Sequence, residues 1–415
     1  MTKGRLKIAI ISHALVIPVF QNRWKRLAKD TDYEVHLIVP EVWEQTWFGE
    51  QVVYKPEKIE TDNFKVHPLP TTSKKNWIFY LFKSFDMRLK AIQPDLIYII
   101  HEEGVLIHQQ IYLYKFLFGR KAKVIFFSMN ALGVPGINNK NIVKRTIRRL
   151  LWNNIKKNTD AALVHYPGCL DSLRNAGYDK PIFLQTQVGV DETLFEPNET
   201  LKKEYKQLLN LKDKFVIGYS GRLSKDKGVD DLVDVFLKLK VAYKNIALLL
   251  VGNGELKKQI EVTIKKHNLA TNDIQITGFV DQADVPKFMN VMDIFVLGSK
   301  TTNHWIDTFP LVTVQAQAIK IPVIASDSGS IPWQLADSAK IYAEGDRVAL
   351  GDALTELIEN ENLRRIYALK GYKRSLSYFC HHGMTENFKK IVNQIMTDEF
   401  IFHKNNEKYT QWKAF

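Results

Sequence analysis

Short apolar runs alternate with longer amphipathic stretches along the chain. The runs fall at 7–11, 35–39, 96–100, 124–127, 161–164, 215–219, 246–251, 294–297 and 322–325. Each is brief, rich in Ile and Val and apolar nearly throughout, which predicts strands covered on both faces. The stretches between them have room for helices. Residues 229–239 and 256–267, each opened by glycine or polar residues, are examples. This alternation predicts an α/β fold with parallel sheets. Residues 187–199 hold Gly189, Pro197, four acidic residues and little periodicity, and read as a linker. They divide the 415 residues into nearly equal halves, each with its own strands. Two Rossmann-like, doubly wound domains facing a cleft are therefore expected, with ligands beyond the carboxyl ends of the strands. The expected boundaries are 1–188 and 189–385, with a helical segment 386–415 returning to the first domain.

Composition narrows the class. Hydrophobic residues are 45% and charged residues 25% of the chain, which excludes a wholly disordered or fibrous protein. The two cysteines, Cys169 and Cys380, are too few for a disulfide framework and form no spaced metal-ligand cluster. Lys3, Arg5 and Lys7 ahead of the apolar run 8–20 imitate a signal peptide. Ser12, His13 and Pro18 interrupt that run, and no small-residue cleavage site precedes Arg23. No run reaches the roughly 18 apolar residues of a membrane span. A cytoplasmic location is expected.

The formal net charge is +13, and it is concentrated. Residues 104–159 contain no Asp or Glu and eleven Lys or Arg. Such a field attracts phosphate, nucleic acid or acidic lipid. Val143, Ile147, Leu151 and Ile155 form an i, i+4 row, with Lys144, Arg145, Arg148 and Arg149 on other faces. Upstream, the run 74–83 interleaves Trp77, Phe79, Tyr80 and Phe82 with lysines. Either segment suits an anionic membrane surface; each suits equally an ordinary core face with a solvated back. No nucleic-acid recognition motif accompanies the charge.

Candidate chemistry sits where the strands end. In the first half, His13, His101 with Glu102, Asn130 and His165 directly follow strands, and parallel pairing would bring them to one edge. His101 and Glu102 suit orienting a sugar hydroxyl or exchanging a proton with it. In the second half, Gly221 permits a tight turn after the strand 215–219. Arg222 and Lys227 then stand near a helix start, where a guanidinium fork and an ammonium suit a diphosphate. This is not a P-loop, since the glycine spacing and Lys-Ser/Thr ending are absent. Further on, amides of a helix beginning near Leu311 would point at an anion. Asp307 lies just outside that helix and Gln315 inside it, on about the second turn.

These motifs, in order, resemble the retaining glycosyltransferases of family 4, which have the GT-B fold. The resemblance covers most of the chain. It is strongest at 218–228, at Leu250-Val-Gly-Asn-Gly-Glu255, at Thr277-Gly-Phe-Val280 and across 297–332. The ending 321–332 is similar to members that build bacterial surface polysaccharides. The resemblance implies that Arg222, Lys227 and the amides of Leu311 and Val312 hold the donor's diphosphate. It implies that Phe279 and Val280 line the nucleobase pocket. Asp307 and Gln315 occupy the positions of two family glutamates, the first on the donor sugar and the second on ribose. His101-Glu102 matches a strand-end His-Glu pair, and His13, Asn130 and His165 fall on the acceptor side. The sequence departs from the family at Asp307, Pro310 and Gln315, and in having Asn130 near the position of the usual His. The implied function is retaining transfer of a hexose-type sugar from a nucleoside-diphosphate sugar to a lipid-linked glycan. No metal and no further cofactor would be needed. The alternative is an impaired relative that binds a nucleotide sugar or a partner enzyme.

Overall fold

The structure is a computed structural model that describes residues 5–47, 50–103, 105–119, 121–303 and 305–399. The chain forms two compact units. The described parts of Met1–Val188 and His381–Ala414 make the first, and Gly189–Cys380 makes the second.

The first unit is built on an eight-stranded sheet. Its strands are β1 (Lys7–Ile11), β2 (Glu34–Pro40), β5 (Ile59–Glu60), β6 (Phe64–Leu69), β7 (Leu96–Ile99), β8 (Lys123–Ser128), β9 (Ala161–Val164) and β10 (Ile182–Leu184). A separate antiparallel hairpin, β3 (Trp43–Trp47) and β4 (Glu50–Tyr54), lies between β2 and β5 in sequence. The sheet order is β10-β9-β8-β7-β1-β2-β6-β5, parallel except at β5. β1, β7, β8 and β9 are buried almost throughout. Their unbroken Ile/Val content follows from helices covering both faces.

The second unit carries six parallel strands: β11 (Phe215–Ser220), β12 (Ile246–Val251), β13 (Ile274–Gly278), β14 (Ile294–Leu297), β15 (Val323–Ser326) and β16 (Lys340–Tyr342). Their order is β13-β12-β11-β14-β15-β16. Its helices begin at side-chain caps that the sequence supplies. Asn198 accepts from Leu201, Asp346 from Val348 and Ala349, and Asn360 from Leu363. Each satisfies an amide that would otherwise lack a partner.

Both sheets reverse direction once. β1 is followed by β2 on one side and β7 on the other. β11 is followed by β12 on one side and β14 on the other. Crevices open beyond the carboxyl ends of strands at such reversals.

Four expectations change here. Residues 187–199 are not a free linker, because Val190 and Phe195 are buried in the second unit's core and a helix starts at Glu199. The return to the first unit comes at His381, not at residue 386, and the helix His381–Thr397 carries it; residues 400–415 lie outside the described ones. On that helix Phe388 packs edge-on against Trp24, at 5.6 Å between centroids. The apolar row of the helix Ile142–Asn158 is split: Ile155 is buried, whereas Val143 and Ile147 are exposed. The aromatic run divides likewise, with Tyr80 and Phe82 buried and Trp77 and Phe79 exposed.

Candidate functional site

In the second unit the expected charged residues meet at the β11/β14 reversal. Tyr219, at the end of β11, donates its hydroxyl to the Arg222 carbonyl at 2.7 Å and so pins the following loop. The loop closes in a short turn, Lys225–Lys227, and the helix Val229–Ala242 follows. Gly228 joins the two at φ 66°, and a Cβ there would lie 2.0 Å from the Gly298 carbonyl oxygen. Only glycine meets both the left-handed backbone and this approach to the loop after β14. Lys227 is thereby held against that loop. Its ammonium donates to both Asp307 carboxylate oxygens, at 3.0 and 2.9 Å, and lies 4.1 Å from the Trp305 ring centroid. The Ser299 hydroxyl donates to Asp307 Oδ2 at 2.5 Å. Asp307 is 6% exposed, so its charge is held by these two donors rather than by water. Gly329 packs on the Asp307 carbonyl, which also accepts from the Ser330 amide at 2.8 Å.

Arg222 points elsewhere. Its side chain is exposed and bonded to Asp226 at 2.6 Å, one helical turn along the chain. The helix Leu311–Ala318 begins directly after Pro310, which occupies the cap position and carries no N–H to donate. The amides of Leu311 and Val312 precede the first intrahelical bond and remain as donors. The start of this helix is fixed from behind. Thr313 Oγ1 donates to the Pro310 carbonyl at 2.7 Å, and Gln334 Oε1 lies 3.0 Å from the same hydroxyl. Gln315 is buried within the helix. Phe279 and Val280 follow β13 at the same carboxyl edge of the sheet, Phe279 exposed and Val280 packed against the core.

In the first unit, His13 and His101 meet at the β1/β7 reversal with ring centroids 4.9 Å apart. Around His13 stand Trp43 at 4.8 Å, Trp77 at 6.5 Å and Tyr80 at 6.3 Å. His101 Nε2 is hydrogen-bonded to the Tyr80 hydroxyl at 2.5 Å. Burial keeps both imidazoles neutral, pulling His13 to about 4 and His101 well below its usual range, where His13 and His108 add to the effect. His108 Nε2 lies 3.3 and 3.1 Å from the carbonyls of His101 and Glu102 and holds the turn that presents them.

The adjacent carboxyls differ. Glu102 is partly exposed, and burial raises its pKa while Asn130 opposes the rise. Glu103 is 2% exposed, and burial pushes it up to about 7. Asn130 Nδ2 donates to Glu103 Oε2 at 2.5 Å. The strand-end pattern singled out Glu102 and passed over Glu103. Only the turn geometry, which the Glu-Glu pair does not encode, decides which one faces inward. His165 is a buried residue set edge-on to Phe127 at 4.6 Å, with burial and the Arg23 charge lowering it to about 3. It belongs to the packing beneath the edge, not to its open surface. Ser299 and Trp43 also escaped the sequence reading, and Trp77 and Tyr80, expected at a membrane surface or in a core, lie beside His13. Ser299 lay two residues beyond a recognised strand, which is the signal that would have found it.

Residues 202–374 match the family described as Glycosyl transferases group 1. The chain is 29% identical over 203 residues to the capsular polysaccharide biosynthesis glycosyltransferase CapM of Staphylococcus aureus, covering 48% of this chain and 51% of that one. It is 29% identical over 231 residues to a GDP-mannose-dependent mannosyltransferase of Corynebacterium glutamicum, covering 54% and 59%. The chain thus spans about half the length of these curated relatives. Over its full extent it superposes on a sucrose-phosphate synthase from Thermosynechococcus elongatus with a TM-score of 0.71 at 18% identity, covering 95% of this chain and 100% of that one. Anabaena HepE in complex with UDP gives 0.66 at 15%, covering 94% and 100%. The fold is GT-B, with two Rossmann-like units.

Proposed function

We infer that the chain is a retaining glycosyltransferase of bacterial surface polysaccharide or glycolipid synthesis. It moves a hexose-type sugar from a nucleoside-diphosphate sugar to a hydroxyl of a lipid-linked glycan. One observation carries this reading: Lys227 and the free amides at the helix Leu311–Ala318 stand at the strand reversal of the family-matched domain. An ammonium and a helix N-terminus are what a departing diphosphate requires. In the reaction the donor's C1–O bond breaks and its electron pair goes to the diphosphate. The acceptor oxygen bonds to C1 on the same face, and its proton passes to a leaving phosphate oxygen. Charge on the diphosphate is met by Lys227 and the two amides, and by Arg222 once its guanidinium turns from Asp226, without a metal or further cofactor. Phe279 and Val280 offer a surface for the base, and Gln315 a neutral partner for ribose.

The first unit suits the acceptor. Trp77, exposed beside His13 and backed by the buried Trp43 and Tyr80, offers a ring on which the apolar face of a sugar stacks. Glu102 and Asn130 supply polar contacts beside it. The exposed Val143 and Ile147 beside Lys144, Arg145, Arg148 and Arg149 support peripheral binding to the inner face of an anionic membrane. No helix among the described residues is long and apolar enough to cross one.

Purified protein mixed with nucleoside diphosphates and their sugars should show a rise in unfolding temperature for one base, and slow donor hydrolysis with the matching sugar. No shift with any of them would end the reading. The second reading, a relative that binds without turnover, draws on Asp307, whose two oxygens are already engaged by Lys227 and Ser299. Binding of a nucleotide sugar with neither transfer nor hydrolysis would favour it.

A further inference from the structure

A cavity of about 620 Å³ in the first unit is lined by none of the strand-end residues described above, although its lining begins at Ala131, directly after Asn130. It opens between the helix Ile142–Asn158, the helix Pro167–Asn175 and the loop 131–138. Trp152 closes part of its wall, donating its indole N–H to the Ala176 carbonyl at 2.8 Å. Two cations line it, Arg149 and Lys156, and among the described residues neither has an ion-pair partner. Arg149 is fixed by its Nε, which donates to the Ile137 carbonyl at 3.2 Å. Ser172, only 7% exposed, also lines the cavity, and its hydroxyl has no hydrogen-bond partner. Gly168 lies in the first turn of a helix that begins at Pro167, which has no N–H, and the Cys169 amide donates to the Tyr166 carbonyl at 3.1 Å, so the Gly168 amide alone is left over at this wall. Asp171 is the one carboxylate in the lining. Two cations without an ion-pair partner among the described residues, a buried hydroxyl in want of a partner and one backbone amide together suit an oxyanion with several acceptors.

The cavity's surroundings say where that anion comes from. On the helix Ile142–Asn158, the positions facing the cavity (Arg149, Asn153, Lys156) adjoin an arc carrying Ile142, Val143, Ile147 and Leu150. All four are exposed, from 52% to 67%. Leu132, on the cavity rim, is exposed as well. A free metabolite would have no use for that apolar arc, whereas a lipid presents a phosphate head beside acyl chains.

We propose that this cavity is a headgroup site for a phosphate-bearing membrane lipid, seated while the apolar arc of the helix Ile142–Asn158 lies in the bilayer surface. The proposal rests on the membrane part of the reading above and narrows it from a charged face to a built pocket.

The test is sedimentation of the full chain with phosphatidylcholine vesicles, with and without phosphatidic acid. Wild type should bind the mixed vesicles more tightly. Arg149→Gln with Lys156→Gln should lose about thirtyfold on mixed vesicles. Lys140→Gln with Lys157→Gln, which removes the same charge from exposed positions outside the cavity, should lose several-fold less. Ile142→Ser with Leu150→Ser should weaken binding to both compositions. Equal losses for the two charge pairs would overturn the pocket and leave plain surface attraction. Failure of wild type to sediment would overturn it too, as would inorganic phosphate protecting the chain against unfolding in an Arg149-dependent way without any vesicle binding. Nucleoside diphosphate binding, measured on the same samples, reports separately on the glycosyltransferase reading.

Discussion

The two units reverse their strand order in the same way and furnish the reversal with opposite chemistry. At β11/β14 the side chains are ionic: Lys227 against Asp307, and Arg222 against Asp226. At β1/β7 they are aromatic and neutral. His13 and His101 stack, Tyr80 bonds the second ring, and two tryptophans stand alongside. One architecture therefore gives two kinds of surface. A doubly wound sheet provides only a crevice; the side chains gathered around it decide whether its surface is ionic or aromatic. The difference also shows in protonation. Burial at β1/β7 keeps imidazoles neutral and holds a carboxyl, Glu103, partly protonated near neutrality.

The largest expected effect strikes the ionic reversal. Lys227→Ala leaves Asp307 buried without its counter-ion and should cost about 3 kcal/mol of stability in urea unfolding. It should also weaken nucleoside diphosphate binding at least tenfold in calorimetry, which corresponds to about 1.5 kcal/mol for a charged contact. Adding Asp307→Asn should restore the stability and not the affinity. Recovery of both would mean that the lysine serves the fold alone.

Glu103→Gln probes the neutral reversal. The Glu103 pKa is raised from 4.5 to about 7, so its protonated form stabilises the native state. That contribution is full below pH 4.5 and is lost as pH climbs through 7, a span worth about 3 kcal/mol for a shift of this size. Glutamine keeps an acceptor for Asn130 and cannot ionise, so the variant should unfold with a flatter pH profile between about 5 and 7. An unchanged profile would show that Glu103 ionises freely.

Smaller effects sharpen the contrast. Arg222→Ala should reduce diphosphate affinity about tenfold and leave stability nearly untouched, because its partner Asp226 forms an exposed i, i+4 pair. Trp77→Ala should raise the KM for acceptor about fivefold, the worth of one stacked ring, with diphosphate affinity unchanged. Should Trp77→Ala weaken the diphosphate and Arg222→Ala spare it, the division of labour would be reversed.

Much of the scaffold was readable in the amino-acid order. The nine apolar runs all became strands, because strands covered on both faces carry no polar interruptions. The strands that escaped are those without that signal. β10 and β16 have three residues each, β6 contains His67 and Pro68, and β13 alternates Ile with Gln and Thr. At the site, Lys227, Asp307 and the helix start at Leu311 were legible from glycine spacing and a proline. That Lys227 and Asp307 bind each other was not, since they lie 80 residues apart and meet only through the close approach of Gly228 to Gly298. Glu103 was hidden for the opposite reason. It neighbours the residue chosen, and one peptide of turn geometry decides which side chain goes inside.

The crossing at His381 has a consequence for biogenesis. Because the helix His381–Thr397 supplies Phe388 to cover Trp24 and Tyr98, the earliest-made half of the molecule cannot seal its own interior when it leaves the ribosome. It must wait, with that apolar surface uncovered, until nearly two hundred further residues have been translated and the later half has collapsed in between. Shortening the message before codon 381 should therefore yield a chaperone-bound or aggregated fragment rather than a free amino-terminal lobe.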